Sequence, residues 1–96
     1  MEKDIKKFDE VAEILKAMGH PARLCILNGI IQTGGCNVSH MQDCLELPQS
    51  TISQHLQKLR SAGIIEGTRN GTEITYTLKN QKVLEIITTL YPQEEK

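Results

Sequence analysis

The chain has 96 residues, a formal net charge of −1 and only three aromatic side chains, Phe8, Tyr76 and Tyr91. That length builds one domain with a modest core, for which sharing surface in a dimer is an advantage. The near-neutral charge argues against indiscriminate nucleic-acid binding, and the shortage of rings argues against stacking on single strands. No apolar run is long enough to span a bilayer, and the opening MEKDIKKFDE lacks a signal-peptide core, so a soluble, cytoplasmic protein without membrane partners is expected. Cys25, Cys36 and Cys44 are odd in number and contain no CxxC pair, so free thiols in a reducing cytosol are the expectation.

Residues 4 to 18 predict an amphipathic helix, with Ile5, Phe8, Ala12, Leu15 and Met18 at three- and four-residue steps. Gly19-His20-Pro21 breaks it, with His20 as a cap or turn residue. A second helix then runs from Pro21 to about Ile31, with Leu24, Leu27, Ile30 and Ile31 apolar. Gln32-Thr33-Gly34-Gly35 ends that helix, and Asn37 or Ser39 caps a short third helix reaching about Cys44. Met18 and Met41 are expected in the core.

The stretch CLELPQSTISQHLQKLRSA, Cys44 to Ala62, reads as the end of that short helix, a tight turn and a further helix from about Gln49 to Ala62, stopped at Gly63. Ile52, Leu56 and Leu59 form its buried stripe. The remaining positions, Gln49, Ser50, Thr51, Ser53, Gln54 and His55, are short or hydrogen-bonding, with Lys58 and Arg60 beyond them. Polar side chains at a helix start followed by positive charge suit a helix whose first half lies in the DNA major groove. Charge is segregated accordingly: Lys58, Arg60 and Arg69 outnumber Glu66 in this region, while acids gather at the two ends of the chain.

After Gly63, the stretches 64 to 69 and 73 to 78 are rich in β-branched residues, and Asn70-Gly71 between them predicts a type I′ hairpin turn with positive φ at both positions. Asn80 caps a last helix, about Gln81 to Leu90, with Val83, Ile86, Ile87 and Leu90 on one face. The fold expected is mainly α with a small β-hairpin, a winged helix-turn-helix of order α-α-α-α-β-β-α spanning the whole chain. The first and last helices lie outside that unit. Ile5, Phe8, Leu15, Val83, Ile86, Ile87 and Leu90 are therefore expected at a homodimer interface. A two-fold axis would bring two recognition helices to successive major grooves of a pseudo-palindromic operator.

Over roughly residues 10 to 90 the chain closely resembles the ArsR/SmtB family of bacterial transcriptional repressors. The resemblance is carried by LKAMGHPARLCIL (15–27), by LPQSTISQHLQKLRSAGIIEGTRNGTEITYTL (47–78) and by the last helix. It implies a homodimeric repressor that releases DNA when an inducer, often a metal ion, binds. Carried over by position, it implies DNA contacts from Gln49, Ser50, Thr51, Ser53, Gln54 and His55, with Arg69 and Asn70 of the wing on the backbone or minor groove. His55 has an alternative, a hydrogen bond within the fold.

The chain departs from the family's metal-sensing patterns. There is no Cys-x-Cys pair before the recognition helix, and the stretch 80 to 96 holds no His, Cys or Asp, so no metal and no cofactor are expected. Cys36, His40 and Cys44 remain, at steps of four. If one helix includes all three, the cysteines stand about 12 Å apart along its axis. That is too far for one tetrahedral zinc or for a disulfide, whose Cα atoms approach within roughly 7 Å. If Cys36 lies in the preceding loop, the objection weakens. Three readings stay open: a redox pair at Cys36 and Cys44, an atypical Cys/His metal site, or Cys25 and Cys44 as small core residues with Cys36 incidental. No catalytic constellation is apparent, so an enzyme is not expected. The alternative to a DNA-binding regulator is a winged-helix protein-interaction module without its own operator.

Overall fold

A computed structural model describes residues 4–93. The elements are α1 (Lys6–Met18), α2 (Pro21–Thr33), α3 (Val38–Leu45), α4 (Gln49–Ser61), β1 (Ile65–Asn70), β2 (Glu73–Leu78) and α5 (Gln81–Leu90), the expected order of a winged helix-turn-helix. Three helix starts are capped by a side chain. His20 Nδ1 accepts from Ala22 N–H at 3.1 Å, with Pro21 at the first helical position of α2. Asn37 Oδ1 accepts from His40 N–H at 2.8 Å and opens α3. Asn80 Oδ1 accepts from Lys82 N–H and Val83 N–H at 2.9 and 3.2 Å and opens α5. In each case a side-chain acceptor satisfies amides that the helix itself leaves unpaired. α4 is different: Pro48 precedes it and no side chain caps its first turn.

The core is aliphatic. Leu27 and Ile30 of α2, Ile52, Leu56 and Leu59 of α4, Ile64 and Ile65 at the start of β1, and Val83 and Ile87 of α5 close around one another with Met18 and Met41. Val83 and Ile87 were expected at a subunit interface; both are fully buried inside the protomer, because α5 lies back on α2. Ile86 is half-buried and Leu90 is exposed. The α1 stripe behaves oppositely: Met18 alone is buried, while Ile5 (74 %), Phe8 (49 %) and Leu15 (50 %) remain open.

The hairpin pairs Ile65 with Leu78 through Asn70 with Glu73. Its loop is therefore Gly71-Thr72, one residue later than expected. Asn70 belongs to β1, and only Gly71 has positive φ (70°), the sign pattern of a II′ turn with glycine first rather than a I′ turn. Gly67 lies opposite Tyr76, and a Cβ there would come within 2.9 Å of Ile74 Cγ2 and 3.2 Å of the Tyr76 ring, so the bare backbone lets that ring lie across β1. A further surprise is the α3–α4 turn, where Glu46 takes the left-handed conformation (φ 56°) normally filled by glycine or asparagine.

Asn80→Ala removes an acceptor from two amides and is expected to cost about 1 kcal/mol. Asn80→Ser should restore most of it, as read from urea unfolding midpoints. Equal losses for both variants would show that something other than the cap anchors α5.

Candidate nucleic-acid interface

Burying Ile52, Leu56 and Leu59 turns the rest of α4 outward. Gln49, Ser50, Ser53, Gln54 and Lys58 are exposed, and Thr51 and His55 are half-buried. α3 packs directly on α4, as a helix-turn-helix requires. The wing comes to the same end of the molecule: Gln49 lines one groove, about 340 Å³, with Thr72 and Glu73 at the hairpin turn and Asn37 to Ser39 at the start of α3. Arg69 and Asn70 are exposed beside that turn. The uncapped α4 terminus adds the positive end of the helix dipole to this edge.

His55 is held from behind. Arg23 Nη1 lies 3.4 Å from His55 Nδ1, and the His20 ring packs against the His55 ring at 4.6 Å between centroids. This is the intramolecular alternative that sequence reading kept open, and it leaves His55 less free than Ser53 or Gln54 to reach a base. Burial first, then the neighbouring His20, Arg23 and Lys58, hold the His55 pKa below the ordinary value of 6.5. Arg23 was not singled out from the sequence. Its signal is spacing: His20 and Arg23 are three residues apart at the capped start of α2 and so face α4 together. Lys58 lines a second cleft with Glu13, Lys16 and Arg23, which places it behind the polar tip of α4 rather than at it.

One of the three cysteine readings is overturned. Cys36 is buried, whereas Cys25 and Cys44, which that reading places in the core, are exposed. α3 begins at Val38, so Cys36 lies outside it, in a bridge to Tyr76 of β2. Among the described residues no group of three His, Cys, Asp or Glu side chains is placed to hold a metal ion. No described helix is long and apolar enough to cross a membrane.

Comparison with known proteins agrees with this geometry. A family model described as a helix-turn-helix domain matches residues 18–68. The transcriptional repressor PagR of Bacillus anthracis is 44% identical over 84 residues, covering 88% of this chain and 84% of PagR. The crystal structure of PagR superposes with a TM-score of 0.81 at 41% identity, covering 91% of this chain and 99% of that one. HlyU from Vibrio cholerae N16961 also gives a TM-score of 0.81, at 33% identity, over 97% of this chain and all (100%) of its own.

The depressed pKa of His55 sets a pH dependence. A folded value below the unfolded one gives stability that is present above about pH 6.5 and is lost as pH falls through the folded value, because the unfolded chain takes up the proton first. Urea midpoints are expected to fall between about pH 7.5 and about pH 5.5, and His55→Gln is expected to shrink that fall. An undiminished fall in the variant would assign the dependence to another group.

Proposed function

The chain belongs to the helix-turn-helix family of ArsR/SmtB-type transcriptional repressors, and from that premise we propose how it reads its operator and with what symmetry. It is a DNA-binding transcriptional regulator rather than an enzyme. In our reading it acts in the cytoplasm as a homodimer on a pseudo-palindromic duplex site. Gln49, Ser50, Ser53 and Gln54 enter the major groove, where a glutamine amide can pair with adenine at two atoms and a serine hydroxyl can serve a base or a phosphate. Thr51 and the amides at the open α4 terminus approach phosphate. Arg69 and Asn70 hold the neighbouring backbone, and Lys58 adds long-range attraction. His55 positions α4 through Arg23 and His20 and contributes a contact only at its free edge.

The observation that carries this reading is the shared groove, in which the start of α4, the start of α3 and the wing turn meet at one end of the molecule. The dimer rests on α1 and α5. Ile5, Phe8, Val11, Leu15, Leu90 and Tyr91 are the exposed large apolar side chains of the described residues, and all lie on or beside these two helices. Covering them with a second copy removes apolar surface from water and sets two α4 tips about 34 Å apart, one turn of duplex.

The test is electrophoretic mobility with the protein's own upstream region at several salt concentrations. Binding should weaken steeply with salt as counterions are released. Gln54→Ala and Ser53→Ala are expected to lose discrimination between operator and unrelated DNA, by about 1–3 kcal/mol per lost base contact. Arg69→Ala should weaken binding to all sequences alike and reduce the salt slope by about 1. Unchanged discrimination in the α4 variants would overturn the assigned recognition surface. A salt-insensitive protein with no shift on any fragment would favour a protein partner instead.

A double variant, Phe8→Glu with Leu15→Glu, is expected to sediment as a folded monomer and to bind the operator on the order of 100-fold more weakly, because the second half-site no longer adds to the first. A variant that remains dimeric would place the interface elsewhere.

A further inference from the structure

The second cleft, between α1, α2 and the C-terminal half of α4, is about 610 Å³ in volume. It is set back from the reading surface, since Lys58 stands about 13 Å along the helix axis from Gln49 at the start of α4. Its walls are charged. Lys16 comes from the last turn of α1, Arg23 from the first turn of α2 and Lys58 from α4. Against these three cations the described lining sets one acid, Glu13, a turn before Lys16. The cleft is therefore positive in a chain whose formal net charge is −1.

What fills the wall between the charges is small or polar. Ala17 and Ala62 bring only a methyl group each. Gln57 Nε2 donates to Ser61 Oγ at 3.2 Å, which leaves the serine its own proton to donate. Arg23 carries an unmet donor. Its Nε is withdrawn from solvent and, among the described residues, has no hydrogen-bond partner. Its Nη1 lies 3.4 Å from His55 Nδ1, an imidazole held toward its neutral form by burial and by the neighbouring His20, Arg23 and Lys58. That contact does not balance the guanidinium charge. An anionic oxygen would meet both the hydrogen bond and the charge.

We propose that this cleft binds a small organic oxyanion, a phosphate ester or a carboxylate, and that its occupancy weakens the hold of α4 on DNA. Arg23 offers its donors in a fork to the anionic oxygens, Lys16 and Lys58 add charge from two other walls, and Ser61 donates its hydroxyl. Glu13 repels the anion and suits a ligand that carries a hydroxyl or amine donor at that end. The volume falls within the range of about 300–1,000 Å³ typical of small-molecule pockets, which favours an organic anion over an inorganic one.

Two effects carry occupancy to α4. The anion offsets positive charge at Lys58 and Arg23 that favours approach to DNA. It also turns the guanidinium from His55, whose half-buried ring then loses that support. The effect on DNA rests on the regulator reading above; anion binding does not.

The experiment titrates full-length protein, free of DNA, with glucose 6-phosphate and with citrate, using glucose as the neutral control, at a constant ionic strength of about 0.15 M. Calorimetry gives the affinity, and amide chemical shifts locate the site. At least one anion is expected to bind with a Kd of about 1 mM or tighter, with shifts gathered at residues 13–17, 23 and 57–62, and the tighter of the two identifies the preferred headgroup. Glucose should not bind. Lys16→Gln should weaken binding by about tenfold, the worth of a charge-assisted contact, and Glu13→Gln should tighten it. Saturating anion should lower operator affinity at least about fivefold against sodium chloride of the same ionic strength.

Failure of both anions to bind at about 10 mM overturns the proposal. So do shifts confined to the α4 tip and the wing, where the anions would only mimic the DNA backbone, and equal affinities in Lys16→Gln, Glu13→Gln and the wild type. Loss of operator affinity and of salt slope in Lys16→Gln with no anion present gives the cleft to a backbone phosphate and overturns it too. Binding that leaves operator affinity unchanged does the same. If the protein binds no operator at all, the regulator reading fails by itself, and the anion titrations then decide the site.

Discussion

The structure depends on the burial of one stripe of α4. Ile52, Leu56 and Leu59 are almost completely withdrawn from water, and fully burying a side chain of this size stabilises the fold by about 1.5–3 kcal/mol. Turning the helix by one residue would exchange these positions for Ser53, Gln57 and Arg60, whose polar groups have no partners in an aliphatic core. The outward set, Gln49, Ser50, Ser53 and Gln54, is therefore fixed by packing on the opposite side of the helix. In the proposed reading these side chains are aimed before DNA arrives, so little ordering cost would remain to be met on binding.

The same packing explains the arrangement behind the helix. His55 falls at the border between stripe and outward face, where it is half-covered and meets His20 and Arg23. A neutral imidazole fits there; a protonated one is opposed first by lost hydration and then by His20, Arg23 and Lys58. A polyanion approaching α4 offsets that repulsion, since each phosphate favours the cationic form of every group near it. Charge that is unfavourable in the free protein is favoured beside DNA, so the overall charge of −1 does not set the local balance at α4.

How far the sequence foretold this follows the range of the interactions involved. Short-range features were legible: Asn80 as a cap, Asn37 as one of two candidate caps with Ser39, His20 before Pro21, the helix-turn-helix spacing and the hairpin. Its turn was misplaced by one residue, because Asn70-Gly71 is a strong local signal that the strand register overrides, pairing Asn70 with Glu73. Periodicity identified an apolar face on α5 but not what covers it; Val83 and Ile87 meet α2, leaving Ile86 and Leu90 toward the outside. The cysteine assignment inverted for the same reason. Cys36 is buried by a bridge to Tyr76, forty positions away, and no local pattern announces such a partner. The His20–Arg23 spacing hints at a shared face, but its partner His55 lies 32 positions from Arg23, and that contact bears on whether His55 is chiefly a reader of bases or a support for α4.

The proposed dimer and the reading surface are coupled through very little material. α1 anchors in the core through Met18, with Ile14 and Ala17 packed against it, and leaves Ile5, Phe8, Val11 and Leu15 open. Glu13, Lys16 and Ala17 on its other side border Gln57, Lys58, Ser61 and Ala62 of α4 across one cleft. The helix that would meet the partner thus lies one layer of side chains from the C-terminal half of the recognition helix, whose stripe is locked into the protomer. Shifts of α1 at a two-fold axis reach α4 as movements of a rigid body, because a close-packed aliphatic core deforms little. The spacing between the two α4 tips is then set by how α1 seats on its partner. The joint at Cys36 and Asn37, where Cys36 pairs with Tyr76 of the wing and Asn37 caps α3, is separate from that path: it governs how the wing sits beside α4 within one protomer. In the proposed dimer, the distance between half-sites would follow from the seating of α1 and the grip on each half-site from the joint at Cys36 and Asn37.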